Sequence, residues 1–418
     1  GRLFNRHYVQ CPTCGASRYA LMTSRRPRTS AATSNNAFGS LFQNTNDPSN
    51  PNSLPQAFRF AGYRTVGLGK LSHAPDGGGS EMPGAWDEAY MTSGIWNDPW
   101  DAFFAYAGGI TRERGVSLRT EIGVAPDGVT SLSDTDYPDG LMAEEAIRRL
   151  REFKTSGDRF FFGLGFFKPH LPFNAPKKYW DLYDRDRIEV PPQTVPSGVN
   201  ASLTLSGNGE FVGNYGGTNV IDEAEAKLSI HGYYACVSYV DAQIGKVLDE
   251  LDALGLREET IVVLWGDHGW HLGEHTVWGK HTTLEESLRS ALIVRMPYQP
   301  FRGVATDSFA ESIDIYPTLC ELCDIPVPDS VEGRSFAPAL RDPTAIPKDF
   351  ALGLWRKGGS DGYSIRTERY RLVRWGNNAA SPDRIDLFDY QSDPLGKQNV
   401  AGANPDIVAD LLSRISGL

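Results

Sequence analysis

Three stretches of the chain share one pattern: apolar residues at helical spacing, a glycine, then a short apolar run that ends in polar residues. In the first, residues 54–60 carry helical spacing, Gly62 interrupts it, and 65–69 reads as a strand that delivers Lys70 and His73. In the second, Ala146, Ile147, Leu150 and Phe153 share one face of a helix over roughly 141–154. Gly157 ends that helix, 160–167 is the strand, and Lys168 and His170 follow. In the third, Val237, Val240, Ile244, Val247, Leu251 and Leu254 fall on a stripe of helical period, with Gly255 where a C-terminal glycine belongs. Residues 261–265 then read as an inner parallel strand buried on both faces, with Asp267 and His268 directly after it. The alternation predicts an α/β fold with a mixed, mostly parallel sheet sandwiched by helices. Ligands of such sheets bind beyond the carboxyl ends of the strands. The three strand ends therefore aim Lys, His and Asp side chains at one rim.

Residues 183–219 are rich in Pro, Gly, Ser and Thr and read as a long surface excursion. Beyond about residue 340 the pattern changes to short alternating runs at 363–367, 370–375 and 384–388, followed by a helix over 405–412. The reading divides the chain into a catalytic α/β domain, 1–338, and a small C-terminal antiparallel-sheet domain, 339–418.

Composition narrows the classes. Of 418 residues, 40% are hydrophobic and 11% aromatic, which excludes a disordered chain. No window approaches the length of apolar residues that spans a membrane, so no transmembrane segment is expected. A net charge of −11 is the wrong sign for a nucleic-acid binder. An anionic ligand would have to be drawn by a local cluster instead. The chain opens at Gly1, inside what reads as a strand over 3–10, with neither Met nor an apolar signal, so an upstream segment is expected.

The five cysteines, Cys11, Cys14, Cys236, Cys320 and Cys323, are too few and odd in number for a disulfide framework. Their two C-x-x-C spacings leave a redox dithiol and a four-cysteine zinc site as rivals. The pairs lie far apart in the chain, and Cys320 and Cys323 fall in an apolar helix-like run, which counts against zinc. Cys14 precedes a predicted helix over 19–23, with Arg18, Arg25, Arg26 and Arg28 close by. A helix N-terminus and guanidinium groups lower a thiol pKa and accommodate a tetrahedral oxyanion. The bland alternative is a buried Cys beside a surface helix, with the arginines as a solvated helix end rather than a polyanion strip.

Cys14-Gly15-Ala16-Ser17-Arg18, followed by a helix and arginines, resembles the maturation signature of the sulfatases, with Ala16 where proline is commoner. Gly69-Lys70-Leu71-Ser72-His73, Lys168-Pro169-His170-Leu171-Pro172-Phe173 and Gly266-Asp267-His268-Gly269-Trp270 resemble further blocks of that family. So does the stretch from Leu272-Gly273-Glu274-His275 to Trp278-Gly279-Lys280. Residues 312–319 and 362–367 look closest to its iduronate-2-sulfatase-like branch. The resemblance covers nearly the whole chain and implies an alkaline-phosphatase-like fold.

It further implies that Cys14 becomes 3-oxoalanine (Cα-formylglycine) through a formylglycine-generating maturation enzyme. Arg18, Lys70, His73, His170 and Lys280 would surround the sulfate, with His170 or Lys280 protonating the leaving alcohol. Asp267 and His268 would join the oxygen at position 14 in holding a divalent cation, Ca²⁺. Trp270 and His275 would meet the substrate, a sulfated carbohydrate, with a uronate 2-sulfate suggested by the nearest branch. Such substrates are extracellular, which points to a periplasmic or secreted protein. Taken without the motifs, His73 reads equally as a solvated loop histidine, Lys168 as peripheral, and Trp270 and Trp278 as packing.

The family carries an Asp pair on a strand ahead of the cysteine, whereas none of the 13 residues before Cys14 is acidic. With Asp267 as the one matching carboxylate, Ca²⁺ falls short of its usual oxygen set. The expectation is that the first strand and two metal ligands are missing here and that these 418 residues bind metal poorly. A phosphodiesterase or phosphonate monoester hydrolase of the same superfamily, and a non-catalytic binder of sulfated glycans, are the competing readings.

Overall fold

The computed structural model describes the chain except for residues 43–46, 93–104, 107–108, 111–131, 216–220, 379–380 and 416–418. Two compact units emerge, one of Gly1–Ala57, Pro192–Gly207 and Thr260–Leu418, the other of Phe58–Pro191 and Asn208–Glu259.

In the first unit a four-stranded sheet runs in the order Thr306–Glu311, Arg2–Tyr8, Leu292–Arg295, Val262–Trp265. Arg2–Tyr8 is parallel to Thr306–Glu311 and antiparallel to Leu292–Arg295, which is in turn antiparallel to Val262–Trp265. The sheet is therefore mixed. Val262–Trp265 departs from expectation: its recorded neighbour is antiparallel, and all four residues are half-buried rather than buried. A run of β-branched residues reports that both faces are apolar, and says nothing about the direction of the adjoining strand.

The small antiparallel sheet expected near the C-terminus is present. Phe350–Lys357, Ser360–Thr367, Tyr370–Trp375 and Arg384–Asp389 pair in sequence order. Gly358 and Gly359, at φ 59° and 81°, close the first hairpin in the two-residue turn that needs positive φ at both positions. Helix Pro405–Ile415 covers the sheet by packing Leu411 and Ile415 onto Leu352, Ile365, Leu372 and Leu387. Each such side chain stabilises by roughly 1.5–3 kcal/mol when fully buried. The sheet belongs to the first unit: the Leu354 N–H donates to the Gln10 carbonyl at 2.8 Å, and the Leu352 N–H to Glu311 Oε1 at 2.9 Å.

In the second unit Glu88–Tyr90, Arg64–Gly69 and Phe160–Gly165 form a parallel sheet in that order. Helix Pro138–Ser156 opens on a proline, whose missing N–H costs nothing there, and closes at Gly157 in the left-handed region. It packs against the long helix Glu223–Ala253. That helix buries Ala226, Ser229, Ile230, His231, Gly232, Ala235, Cys236, Tyr239, Gln243 and Leu251, so of the predicted stripe Leu251 is buried, Val240, Ile244 and Val247 are half-buried, and Val237 stays 40% exposed. Its small residues permit close approach to a neighbour and share the buried face with Ile230, Tyr239 and Leu251. The stretch 183–219 contains a 3-10 turn, Arg185–Arg187, and helices Ala201–Thr204 and Gly209–Tyr215; residues 216–219 lie outside the described residues.

Candidate active site

Cys14 is the first residue of helix Cys14–Thr23, and every residue of that helix is buried. The helix seats tightly because Gly15 has no side chain: a Cβ there would stand 2.2 Å from the Asn35 carbonyl oxygen. The Gly15 N–H, one of the helix's orphan donors, is taken by Asn35 Oδ1 at 3.1 Å.

Around the thiol the first unit gathers side chains from two distant stretches. His268 Nε2 and Lys280 Nζ each stand 3.3 Å from Cys14 Sγ. One turn along the helix, Arg18 donates from Nε to Asp267 Oδ2 at 3.0 Å, its guanidinium lying 5.9 Å from the Trp265 ring centre. His268 Nδ1 faces the Gly269 carbonyl at 2.8 Å. A carbonyl only accepts, so that nitrogen carries the proton and Nε2 is the one turned to Cys14. Burial lowers the His268 pKa, but the negative charges of Asp267 and Cys14 outweigh it and the net shift is upward. Lys280 also lies 5.6 Å from the centre of the Trp270 ring.

Lys280 reaches this position on a hairpin. His271–Leu272 pairs with Trp278–Gly279, and Gly273, His275 and Thr276 all take positive φ in the connecting loop. Two of these are not glycine, a strain that the surroundings must hold. His275 is only 4% exposed, with Nε2 3.7 Å from Glu286 Oε2. His271 Nε2 meets Thr282 Oγ1 at 3.0 Å, and burial lowers its pKa to about 4, so it is neutral near pH 7. Burial raises the Glu286 carboxyl, but the neighbouring imidazoles outweigh it and hold it below its ordinary range.

Arg26 and Arg28 are accounted for by carboxylates, Arg26 forking onto buried Glu311 at 2.8 and 2.6 Å and Arg28 meeting Glu332 at 2.7 Å. They form no open basic strip. Cys11 is buried and its thiol is pushed up to about 12 by desolvation, which makes it a poor redox partner. Cys320 is likewise pushed up to about 12 by burial. The zinc reading gains nothing: among the described residues the one metal-competent group is Cys14, Asp267 and His268.

That trio offers a single carboxylate, and Arg18 already occupies one of its oxygens. Ca²⁺ calls for six to eight oxygen donors, so these residues do not fit it.

The second unit holds Lys70, His73 and His170. Strands Arg64–Gly69 and Phe160–Gly165 end in register, Gly69 opposite Gly165, and the Lys70 N–H donates to the Gly165 carbonyl at 2.8 Å. Lys70 and His170 thus leave the same end of adjacent strands, the former buried and the latter half-buried. Buried Asp139 shapes the turn before His170 by accepting the Phe167 and Lys168 N–H groups at 2.8 and 2.9 Å. The ring of His170 lies between the Leu171 carbonyl, 2.6 Å from Nδ1, and Glu210 Oε1, 3.1 Å from Nε2. Glu210, Asn35 and Glu286 gave no signal in the sequence, since each matters through a neighbour remote in the chain. Lys168 donates to the Pro172 carbonyl at 2.8 Å and is buried, a structural position.

A family model described as Sulfatase matches residues 1–325. A second, for the C-terminal part of N-sulphoglucosamine sulphohydrolase, matches 273–417. The chain is 30% identical over 414 residues to a sulfatase of Formosa agariphila, covering 94% of this chain and 75% of that one. It is 28% identical to the mouse iduronate 2-sulfatase, covering 95% and 84%. A structure solved with D-glucosamine-2-N,6-O-disulfate as its substrate superposes with a TM-score of 0.75 at 18% identity, over all of this chain and 90% of the other. The phosphonate monoester hydrolase of Agrobacterium radiobacter does so at 0.73 and 20%, over all of this chain and 87% of the other. At those identities the two structures speak for the alkaline-phosphatase-like fold alone.

Proposed function

Since the chain belongs to the sulfatase family and is thereby a sulfuric ester hydrolase, we propose that it hydrolyses a sulfate ester on a carbohydrate, with a formylglycine derived from Cys14 as its nucleophile. The relatives named iduronate 2-sulfatase favour a uronate 2-sulfate as the substrate.

The observation that carries this reading is the pair of nitrogens, Lys280 Nζ and His268 Nε2, each 3.3 Å from Cys14 Sγ at a helix N-terminus. Helix N–H groups and cations at such a point stabilise negative charge on a tetrahedral oxyanion, which is what a sulfuryl group under attack becomes. In hydrated form, an aldehyde at position 14 supplies one hydroxyl to attack sulfur and a second whose deprotonation expels sulfate. The chain's own residues do the rest. Lys280 neutralises developing charge and is placed to give a proton to the departing alcohol oxygen. Arg18, fixed by Asp267, adds a second cation, and His268 orients the group at position 14 through Nε2. Motif correspondence assigns Lys70, His73 and His170 to the same sulfate, and Trp270 to the sugar. His275, buried against Glu286, serves this reading through the shape of the Lys280 hairpin.

Mass spectrometry of the peptide bearing Cys14, from a host that has a formylglycine-generating enzyme, tests the nucleophile. The expected product has lost H₂S and gained O, and releases sulfate from 4-nitrophenyl sulfate faster than phosphate from the corresponding phosphodiester. An intact thiol in active protein, or faster diester cleavage, would contradict the reading.

A further inference from the structure

We propose that Trp355, stacked on His281, is a platform for a pyranose ring next to the reacting sulfate ester. The inference rests on the hydrolase reading and adds to it the group that grips the sugar.

Two separate chain paths tie the neighbours of Trp355 to the neighbourhood of Cys14. The preceding residue, Leu354, donates its N–H to the Gln10 carbonyl at 2.8 Å, four residues ahead of Cys14. From the other side, His281 directly follows Lys280, the residue whose Nζ is 3.3 Å from Cys14 Sγ. The imidazole of His281 and the indole of Trp355 lie face to face, centroids 4.8 Å apart and planes within 7°. Strand alternation sends Leu354 into the core and leaves Trp355 half-exposed.

The imidazole fixes the indole plane, so little rotamer freedom is left to lose when a ligand arrives. The cations that follow on the strand are already engaged: Arg356 forks onto Asp361, and Lys357 donates to the Leu205 carbonyl. Recognition at this position therefore works by stacking of a ring's C–H face, not by extra charge. A sulfated saccharide suits both halves of the arrangement, its anion facing Lys280 and Arg18, its apolar ring face on Trp355.

The test measures binding, by calorimetry, in a Cys14→Ala background where no turnover occurs. The probes are a disaccharide bearing a uronate 2-sulfate and inorganic sulfate. Trp355→Ala is expected to weaken the disaccharide about tenfold, independently of salt, and to leave inorganic sulfate unchanged. Trp355→Phe should keep most of the affinity, and His281→Ala should lose part of it. Equal disaccharide binding with and without Trp355, equal losses for both probes, or no disaccharide binding by the parent would each overturn the platform. Should the matured wild-type chain release no sulfate while disaccharide binding still depends on Trp355, the platform stands and the hydrolase reading falls.

Discussion

Lys280 reaches Cys14 across 266 positions of sequence, and its Nζ ends 3.3 Å from the Sγ. On the proposed reading, an ammonium held that close to the attacking atom would serve both the charge that builds on sulfuryl oxygens and the proton demand of the leaving group.

Lys280→Met should therefore lower kcat on a sugar sulfate by about 10²–10⁴-fold, the range for loss of a positioned proton donor. On 4-nitrophenyl sulfate, whose leaving group needs no proton, the loss should be clearly smaller. Steady-state kinetics on the two esters provide the comparison, and equal losses would remove Lys280 from the proton-transfer role.

Gly15→Ala should destabilise the fold by about 1–3 kcal/mol or more, the cost of forcing a methyl into filled space. The offending contact is backbone, the Asn35 carbonyl oxygen 2.2 Å from the new Cβ, and backbone cannot swing aside as a side chain does. Thermal unfolding would show it, and the helix carrying Cys14 should lose hydrogen-exchange protection first.

Glu285 supplies a pH dependence of stability. Burial pushes its carboxyl up, but Arg371 at 2.6 Å and Arg366 at 3.0 Å outweigh that and hold it down at about 2. A carboxyl depressed in the folded state stabilises fully above its ordinary value of 4.5, and that contribution fades as pH falls toward about 2. Denaturant unfolding should thus find Glu285→Gln far less stable than the parent at pH 7, by about 3–5 kcal/mol for a broken buried pair. The two curves should converge as the pH approaches about 2.

Calcium should bind these residues weakly. With Asp267 as the one carboxylate in the trio beside Cys14, titration calorimetry is expected to show no stoichiometric heat, and the melting temperature should not rise with millimolar-range Ca²⁺. A tight, saturable isotherm would mean that further oxygen donors reach the site.

Much of this was legible from punctuation. Leu54–Phe60 and Tyr370–Trp375 lie where the pattern puts them, because Gly62 bounds the first and a short run of Tyr, Leu, Val and Trp marks the second. Cys14 at a helix N-terminus followed from the motif, and the helix starts there rather than at Tyr19. Other features could not be read. Val262–Trp265 says nothing in one dimension about which way its neighbour runs, and the long helix Glu223–Ala253 buries Leu251 of its predicted stripe but leaves Val237 exposed. Trp355 alternates like any strand residue, so its stack on His281, 74 positions away, is visible only in three dimensions. Glu210 beside His170 is of the same kind, a partner chosen by folding and unmarked in the local sequence.

Arg2–Tyr8 has both of its strand partners, Thr306–Glu311 and Leu292–Arg295, nearly three hundred positions downstream. During synthesis on the ribosome the segment leading into Cys14 must wait, unpaired, until most of the polypeptide has emerged. The thiol that ends buried among Lys280 and His268 thus spends that interval open to any modifying protein that reaches the nascent chain.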